Sequence, residues 1–470
     1  MRDVRGLIVA DLRHSLRIWV GSLLLLTVVY LCSMWVCGLL MIGVTNISIP
    51  AIIDAVSGMG DGAPSQEFID AMVPVGIVSS LSVCLVVFAG IAAITVRNIV
   101  NAIVYQRRRT LALWQLAGMT DAQMLKVLRG QVGLLSVAAV VIAAVVAIAT
   151  APAMIEFLRS GGLMTAEMGG AGIYIGYVLG VVVAAVVSVI AVNGASRELR
   201  AISPLEAIRS EGVRELPMTR SRWSVAGILL ALAVVIAGAA LATKKVDDAS
   251  GPAILAGFAA VAACATAGPV VIVGLMRAWT GLVPAHLSAS WFLARETLAA
   301  ATARTVATIS SVAITVFLFT GMFSLLMTAQ PGTGGIGGQD VFGFTLIVGF
   351  PTLVAATGAV VIVFMAGQQR EHEIQLAELA GATPAQQLRQ ALFEAVIVVV
   401  TGVIIGGVLA LVPGLLIQPA LLATYGSAGY AFAWLPFLIA VGSLLVLNVL
   451  ATVTPTLIAQ GARDRIVLTA

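Results

Sequence analysis

The sequence predicts an all-α polytopic membrane protein of about ten transmembrane helices. They are expected to form two four-helix units joined by a central helix pair, with both termini in the cytoplasm. Three observations predict this fold class: an apolar composition, ten long apolar runs and a one-sided distribution of basic residues. Of 470 residues, 60% are hydrophobic and 10% are charged, whereas an ordinary soluble domain is about one quarter charged. The mean hydropathy of +1.07 also indicates that most of the surface faces lipid.

Ten apolar runs are long enough to cross a bilayer, which takes about 20 residues of α-helix. Their predicted limits are 18–43, 73–97, 131–152, 172–194, 223–243, 252–276, 305–327, 344–366, 391–417 and 433–457. The first run is longer than the apolar core of a signal peptide, so we interpret it as a retained span.

Basic residues lie almost entirely on one side of these spans. If the N-terminus is cytoplasmic, 23 of the 26 basic residues fall on the inner side, and Arg159, Lys244 and Lys245 fall outside. This distribution satisfies the positive-inside rule. The basic excess is therefore a topology signal, and the sequence does not predict nucleic acid as a partner.

An internal repeat divides the chain. The segment QRRRTLALWQLAGMTDAQML, after the second span, aligns without a gap with QREHEIQLAELAGATPAQQL, after the eighth. Half of the twenty positions are identical. We therefore predict a first four-span unit with its cytoplasmic tail at 1–222, a central two-span linker at 223–285 and a second four-span unit at 286–470.

Each copy of the repeat predicts an elbow. A charged helix leaves the membrane and stops at a glycine, Gly118 or Gly381, which permits a positive φ. A new helix starts behind a threonine N-cap, Thr120 or Thr383, and runs directly into the next span. Such a rigid cytoplasmic elbow could receive force from a soluble partner. The alternative is a helical hairpin that only turns the chain.

The repeated residues resemble the cytoplasmic signature of FtsX-like (MacB-type) ABC transporter permeases. The segment SRELRAISPLEAIRSEG is similar to the family's post-membrane motif, carried here by Pro204, Glu206, Ala207 and Arg209. Two four-span units with an intervening pair resemble the ten-span antimicrobial-peptide exporters. The short outside loops differ from those exporters because they cannot form a large extracellular domain.

The resemblance implies a permease in the bacterial inner membrane, surrounded by the lipid bilayer, with both termini cytoplasmic. Its implied partner is a cytoplasmic ABC ATPase, expected as a dimer, that docks on the elbows. The implied task is export of, or force transmission for, an amphipathic compound such as an antimicrobial peptide, drug or lipid. The predicted ATPase-coupling residues are Arg107, Leu116, Gly118, Thr120, Gln123, Arg370, Leu379, Gly381, Thr383 and Gln386.

The sequence shows no energy source of its own. A P-loop needs a lysine directly after a glycine, and none of the three lysines, Lys126, Lys244 and Lys245, follows one. We therefore expect no catalytic, metal or cofactor-binding residue, and expect ATP to be used by the partner. Ion coupling requires ionisable groups inside the membrane. Glu394, at the cytoplasmic start of span nine, is the main candidate, and its repeat counterpart is Gln131.

Two other functions remain open from the sequence. A secondary transporter driven by an ion gradient would also suit two parallel repeats. A membrane signalling subunit that moves no substrate is the third possibility. The shortage of intramembrane charge and the repeated elbow favour the ABC permease.

Overall fold

The computed structural model is all-α in the residues that it describes, and these contain ten helical segments long and apolar enough to cross a membrane, as the sequence predicts. The structure describes residues 16–50, 52, 66–106, 108–161, 164, 168–199, 218, 220–284, 288–329, 338–367, 379, 381–427 and 429–469, and these contain no β-strand. An α-helix satisfies its own backbone hydrogen bonds and can therefore cross hydrocarbon. The chain is a multi-pass membrane protein.

The described residues form fifteen α-helices, some of spanning length and others short, and one π-helix at Phe317–Gly321 within the seventh span. The first five are α1 (Leu16–Asn46), α2 (Gln66–Gln106), α3 (Arg108–Leu116), α4 (Asp121–Ser160) and α5 (Gly172–Leu199). The others are α6 (Arg220–Ala242), α7 (Val246–Thr266), α8 (Gly268–Thr280), α9 (Ala289–Ala300), α10 (Thr302–Val316), α11 (Met322–Ala329), α12 (Gly338–Gly367), α13 (Pro384–Leu416), α14 (Gln418–Tyr425) and α15 (Trp434–Thr469). Hydroxyl groups within the spans hydrogen-bond to the preceding helical turn, as Ser188 Oγ does to the Ala184 carbonyl at 2.8 Å.

Contacts within the chain form two compact units. The first comprises Met1–Val100, Thr120–Arg200 and Gly335–Val354, and the second comprises Asn101–Met119, Ala201–Gly334 and Ala355–Ala470. The predicted domains 1–222, 223–285 and 286–470 follow the sequence repeat instead, and they remain a prediction.

In the first unit, α1 and α5 approach until their backbones touch. A Cβ built on Gly180 would lie 2.6 Å from the Ser33 carbonyl oxygen, and one on Gly176 would overlap the Cys37 carbonyl oxygen. Ser33 Oγ also donates a hydrogen bond of 2.9 Å to the Gly180 carbonyl. Small residues spaced by four, at Gly172, Gly176 and Gly180, permit this approach, as in other membrane helix pairs.

In the second unit, α10 and α13 form the centre of the core. Ile309 and Val312 of α10 are buried in one cluster with Ile397 of α13. A Cβ on Gly406 would lie 2.6 Å from the Ala313 carbonyl oxygen, so this pair also packs at close range. The seventh and ninth spans thus form the centre of this core.

The predicted sixth span, 252–276, is two helices rather than one. Helix α7 ends at Thr266, and α8 starts at Gly268 with a proline, Pro269, in its first turn. Proline lacks the N–H that would continue the hydrogen-bond ladder, and its ring disfavours helical backbone in the residue before it. Hydropathy predicts the apolar run correctly but carries no information about this break.

Candidate functional site

The first elbow begins where α3 ends. The Gly118 N–H donates to the Gln115 carbonyl at 2.9 Å, and the Met119 N–H donates to the Trp114 carbonyl at 3.0 Å. This pair of hydrogen bonds is a Schellman motif, which requires a left-handed residue after the helix. Gly118 supplies it with φ +93°. The predicted glycine stop is therefore present in the structure.

Helix α4 starts three residues later, at Asp121, behind a capping box. Thr120 has extended backbone, with φ −79° and ψ 156°, and its Oγ1 accepts the Gln123 N–H at 3.4 Å. The Gln123 side-chain oxygen in turn accepts the Thr120 N–H at 2.9 Å. Two N–H groups that a helix start would leave unpaired are thus satisfied reciprocally.

The second elbow has the same left-handed glycine and the same capping box. Gly381 has φ +90°, and Thr383 has φ −81° and ψ 153°. Gln386 donates its N–H to Thr383 Oγ1 at 3.3 Å, and its side-chain oxygen accepts the Thr383 N–H at 3.0 Å. Helix α13 then starts at Pro384, whose missing N–H costs nothing in the first turn.

Both predicted N-caps are present, but the structure adds a role that the sequence reasoning missed. Gln123 and Gln386 close the capping boxes with their side chains. The pattern Thr-x-x-Gln is visible in both repeats and is a known signature of a helix start. It could have been identified from the sequence alone.

Each elbow exposes a leucine directly before its turn. Leu116 is 59% exposed and Leu379 is 87% exposed. The capping residues Thr120, Gln123, Thr383 and Gln386 are exposed as well. The next residue of each helix, Met124 or Gln387, is buried. Each elbow thus combines an exposed turn with a helix start that has one face packed against the protein.

The other predicted site residues cannot be placed. Arg107 and Arg370 lie outside the described residues. The post-membrane motif lies outside them too, at Pro204, Glu206, Ala207 and Arg209.

A polar cluster follows the second elbow on α13. The Glu394 carboxylate is 3.7 Å from the Arg304 guanidinium, and this ion pair joins α13 to the start of α10. The Gln390 amide donates to Glu394 at 3.3 Å and to the Thr297 hydroxyl of α9 at 3.4 Å. Glu394 is therefore held by groups from this chain.

Helix α9 lies against the same part of α13. Ser290 Oγ donates to the carbonyl oxygen of Gln386 at 3.3 Å. Gln386 is one of the two residues that form the capping box. Trp291 packs edge-on against Phe393, with ring centroids 5.4 Å apart. Helix α9 therefore contacts the second elbow and the first turns of α13 through both polar and aromatic groups.

The first repeat has a different arrangement at the corresponding place. Gln131 occupies the position of Glu394 and is buried. Two residues earlier, the Arg129 guanidinium donates to Asn193 Oδ1 at 2.7 Å, which joins α4 to the end of α5. Among the described contacts, one arginine joins α4 to α5 and another joins α13 to α10.

A comparison with protein families matches two segments of the chain to a family model. The family model described as FtsX-like permease C-terminal matches residues 82–199 and 341–460, and the two matches together cover half of the chain. Each match contains one elbow and the helix that follows it. No curated protein matches the chain.

Proposed function

Because the chain belongs to the FtsX-like permease family and is thus a membrane permease subunit of an ABC transporter, we propose that both elbows dock a cytoplasmic ABC ATPase. ATP is bound and hydrolysed by that partner, expected as a dimer, and this chain contributes no catalytic group, metal or cofactor. Conformational changes of the ATPase displace the elbows, and the spans carry the displacement into the membrane.

One observation carries this proposal: two distant segments build the same exposed turn. At both elbows an exposed leucine is followed by a left-handed glycine and then by a capping box. A turn that only reverses the chain needs no exposed leucine, because an apolar side chain that stays in water contributes no hydrophobic stabilisation. Leu116 and Leu379 are suited to fill apolar pockets of a partner.

The helices that follow the elbows are suited to transmit force. Helix α4 runs without a break from Asp121 to Ser160, and α13 runs from Pro384 to Leu416. At 1.5 Å per residue, α4 is about 60 Å long, about twice the thickness of the hydrocarbon core. A displacement of its first turn therefore moves the whole third span.

The orientation belongs to the proposal as well. The distribution of basic residues, 23 of 26 on one side, supports cytoplasmic elbows and termini. The bacterial inner membrane is the location implied by the family resemblance. Export of, or force transmission for, an amphipathic antimicrobial peptide, drug or lipid is implied by the same resemblance.

Co-purification of variants tests the docking. We expect Leu116→Asp and Leu379→Asp each to reduce the amount of ATPase recovered with the tagged chain, since a carboxylate cannot enter an apolar pocket without a large desolvation cost. The matched control is Leu282→Asp, because Leu282 is 81% exposed and lies on the same predicted side of the membrane. It should leave ATPase recovery unchanged.

Two outcomes would contradict the proposal. In the first, both elbow variants recover as much ATPase as the wild-type chain. In the second, no ATPase accompanies the wild-type chain, and transport in vesicles follows a proton gradient. The second outcome would establish the secondary transporter instead.

A further inference from the structure

The seventh span changes its helical geometry half-way along. Helix α10 ends at Val316, the π-helix occupies Phe317–Gly321, and α11 continues from Met322. A π-helix closes its hydrogen bonds over five residues instead of four, and it is found mostly as single turns inside α-helices, often at functional sites. The first span, α1, crosses without one. Crossing the membrane therefore does not require the π-turn.

The π-turn leaves one buried hydroxyl unsatisfied. Elsewhere in this span, four hydroxyls each donate to the carbonyl oxygen four residues earlier, namely those of Thr308, Ser311, Thr315 and Thr328. Thr320, within the π-turn, is fully buried, and its Oγ1 has no hydrogen-bond partner among the described residues. A buried hydroxyl without a partner is unfavourable. In an α-helical turn the same hydroxyl would be within reach of the Val316 carbonyl, as in the other four cases.

Helix α11, directly after the π-turn, holds the loop that joins α14 to α15, residues 426–433. Ser324 Oγ accepts the Ala433 N–H at 3.0 Å. Thr328 Oγ1 accepts the Ala431 N–H at 3.2 Å and also lies 3.4 Å from the Ala431 carbonyl oxygen, to which it donates. Residues four apart lie on one face of a helix. The rotation of α11 about its axis therefore decides whether this loop is held.

The π-turn sets that rotation. Helix α10 is fixed on α13, because its backbone and side chains lie directly over Gly402 and Gly406. If the π-turn became α-helical while α10 stayed in place, α11 would rotate by about 100°, the angle per residue of an α-helix. Ser324 and Thr328 would then face away from the loop. Gly321 is suited to be the pivot, since a Cβ there would lie 3.1 Å from the Ala410 Cα of α13.

We infer that the π-turn is a two-state hinge that latches the loop at 426–433. In the π state, α11 holds the loop through Ser324 and Thr328, and the Thr320 hydroxyl is unsatisfied. In the α state, Thr320 donates to the Val316 carbonyl and the loop is released. The hinge goes beyond the proposed function and does not depend on where an ATPase docks, so that either can be wrong while the other stands.

Hydrogen exchange at the Ala431 and Ala433 amides tests the hinge in the full chain in lipid nanodiscs, with single amides resolved by fragmentation in the mass spectrometer. The first variant is Thr320→Val, because valine has the shape of threonine without the hydroxyl. It removes the unsatisfied group from the π state and the hydrogen bond from the α state, and both changes favour the latched loop. We expect both amides to exchange about fivefold more slowly than in the wild type.

The matched control is Thr315→Val in the same span. Thr315 is also buried, but its hydroxyl already donates to the Ser311 carbonyl at 2.9 Å. The control variant loses a satisfied hydrogen bond in α10 and leaves the π-turn unchanged. It should not slow the exchange of either loop amide.

Deletion of Phe319 is a second, independent test. Phe319 is the only residue of the π-turn that is not fully buried. Without the extra residue the span becomes a continuous α-helix, and Ser324 and Thr328 keep their orientation relative to α10. The latch can then no longer open by rotation, so both loop amides should exchange more slowly than in the wild type. Protection of the Val312 and Ala313 amides shows whether the deletion variant is folded.

Three results would overturn the hinge. In the first, Thr320→Val exchanges at Ala431 and Ala433 as fast as the wild type or faster. In the second, Thr315→Val slows the two amides as much as Thr320→Val does. In the third, the deletion variant is folded but its loop amides exchange at the wild-type rate or faster. If the deletion variant does not fold, Thr320→Val and its control decide alone.

Discussion

At the scale of the residue, the elbows depend on two glycines with a positive φ. Gly118 and Gly381 lie at +93° and +90°, and no described atom beyond the adjacent residues lies within 4 Å of a Cβ built on either one. There is therefore room for a side chain, but the positive φ is unfavourable for any residue other than glycine. The strain belongs to the backbone alone, because an L-residue in the left-handed region loses about 1–2 kcal/mol. This is why the repeat retains glycine where the surroundings are open.

Substituting alanine at Gly118 tests this explanation. We expect Gly118→Ala to destabilise the turn by about 1–2 kcal/mol, measured as faster hydrogen exchange at the Gly118 and Met119 amides. The control is Gly133→Ala in the interior of α4, where φ is not positive and the space is also open. That change should stabilise the helix by about 1 kcal/mol. Equal effects at the two positions would show that the positive φ is unimportant.

At the scale of the element, the sequence predicts local features well and pairings poorly. Ten apolar runs specify ten spans, because helix length and hydropathy are set within each run. The elbow glycines and threonines can also be predicted from the sequence, because helix stops and N-caps depend on neighbouring residues only. The break at Ala267 was missed because hydropathy does not register the proline at 269. The partner of Glu394 could not be predicted, because Arg304 is distant in the chain and only packing joins them.

The pairing of α1 with α5 gives an element-scale prediction. Gly180→Val should separate the two helices, since even a Cβ would lie 2.6 Å from the Ser33 carbonyl oxygen and the Met34 Cα. Overpacking of this kind costs about 1–3 kcal/mol, so the thermal unfolding temperature in detergent should fall. Gly227→Val on α6 is the control, because nothing lies within 4 Å of its Cβ position. A similar loss of thermal stability in both variants would argue against the close pairing.

At the scale of the whole molecule, one chain carries both of the turns that we propose as docking sites. A permease with a single elbow would need a second copy of itself to hold an ATPase dimer, whereas under this proposal the chain offers one elbow to each ATPase subunit. The sequence repeat predicts the two turns but not the contacts that the following helices make, Arg129 with Asn193 and Glu394 with Arg304. Those connections depend on which helices pack together, and the residues that form them are not repeated.

The stoichiometry of the complex follows from this count. We expect one permease chain to bind two ATPase subunits, measured as the mass of the complex by native mass spectrometry. Leu116→Asp and Leu379→Asp together should release both subunits, while each single change should weaken the complex, because an ATPase dimer held at one end dissociates more readily. A complex of two permease chains with two ATPase subunits would contradict the expectation. In that case only one elbow per chain would be occupied, and one of the two single variants would bind ATPase as the wild type does.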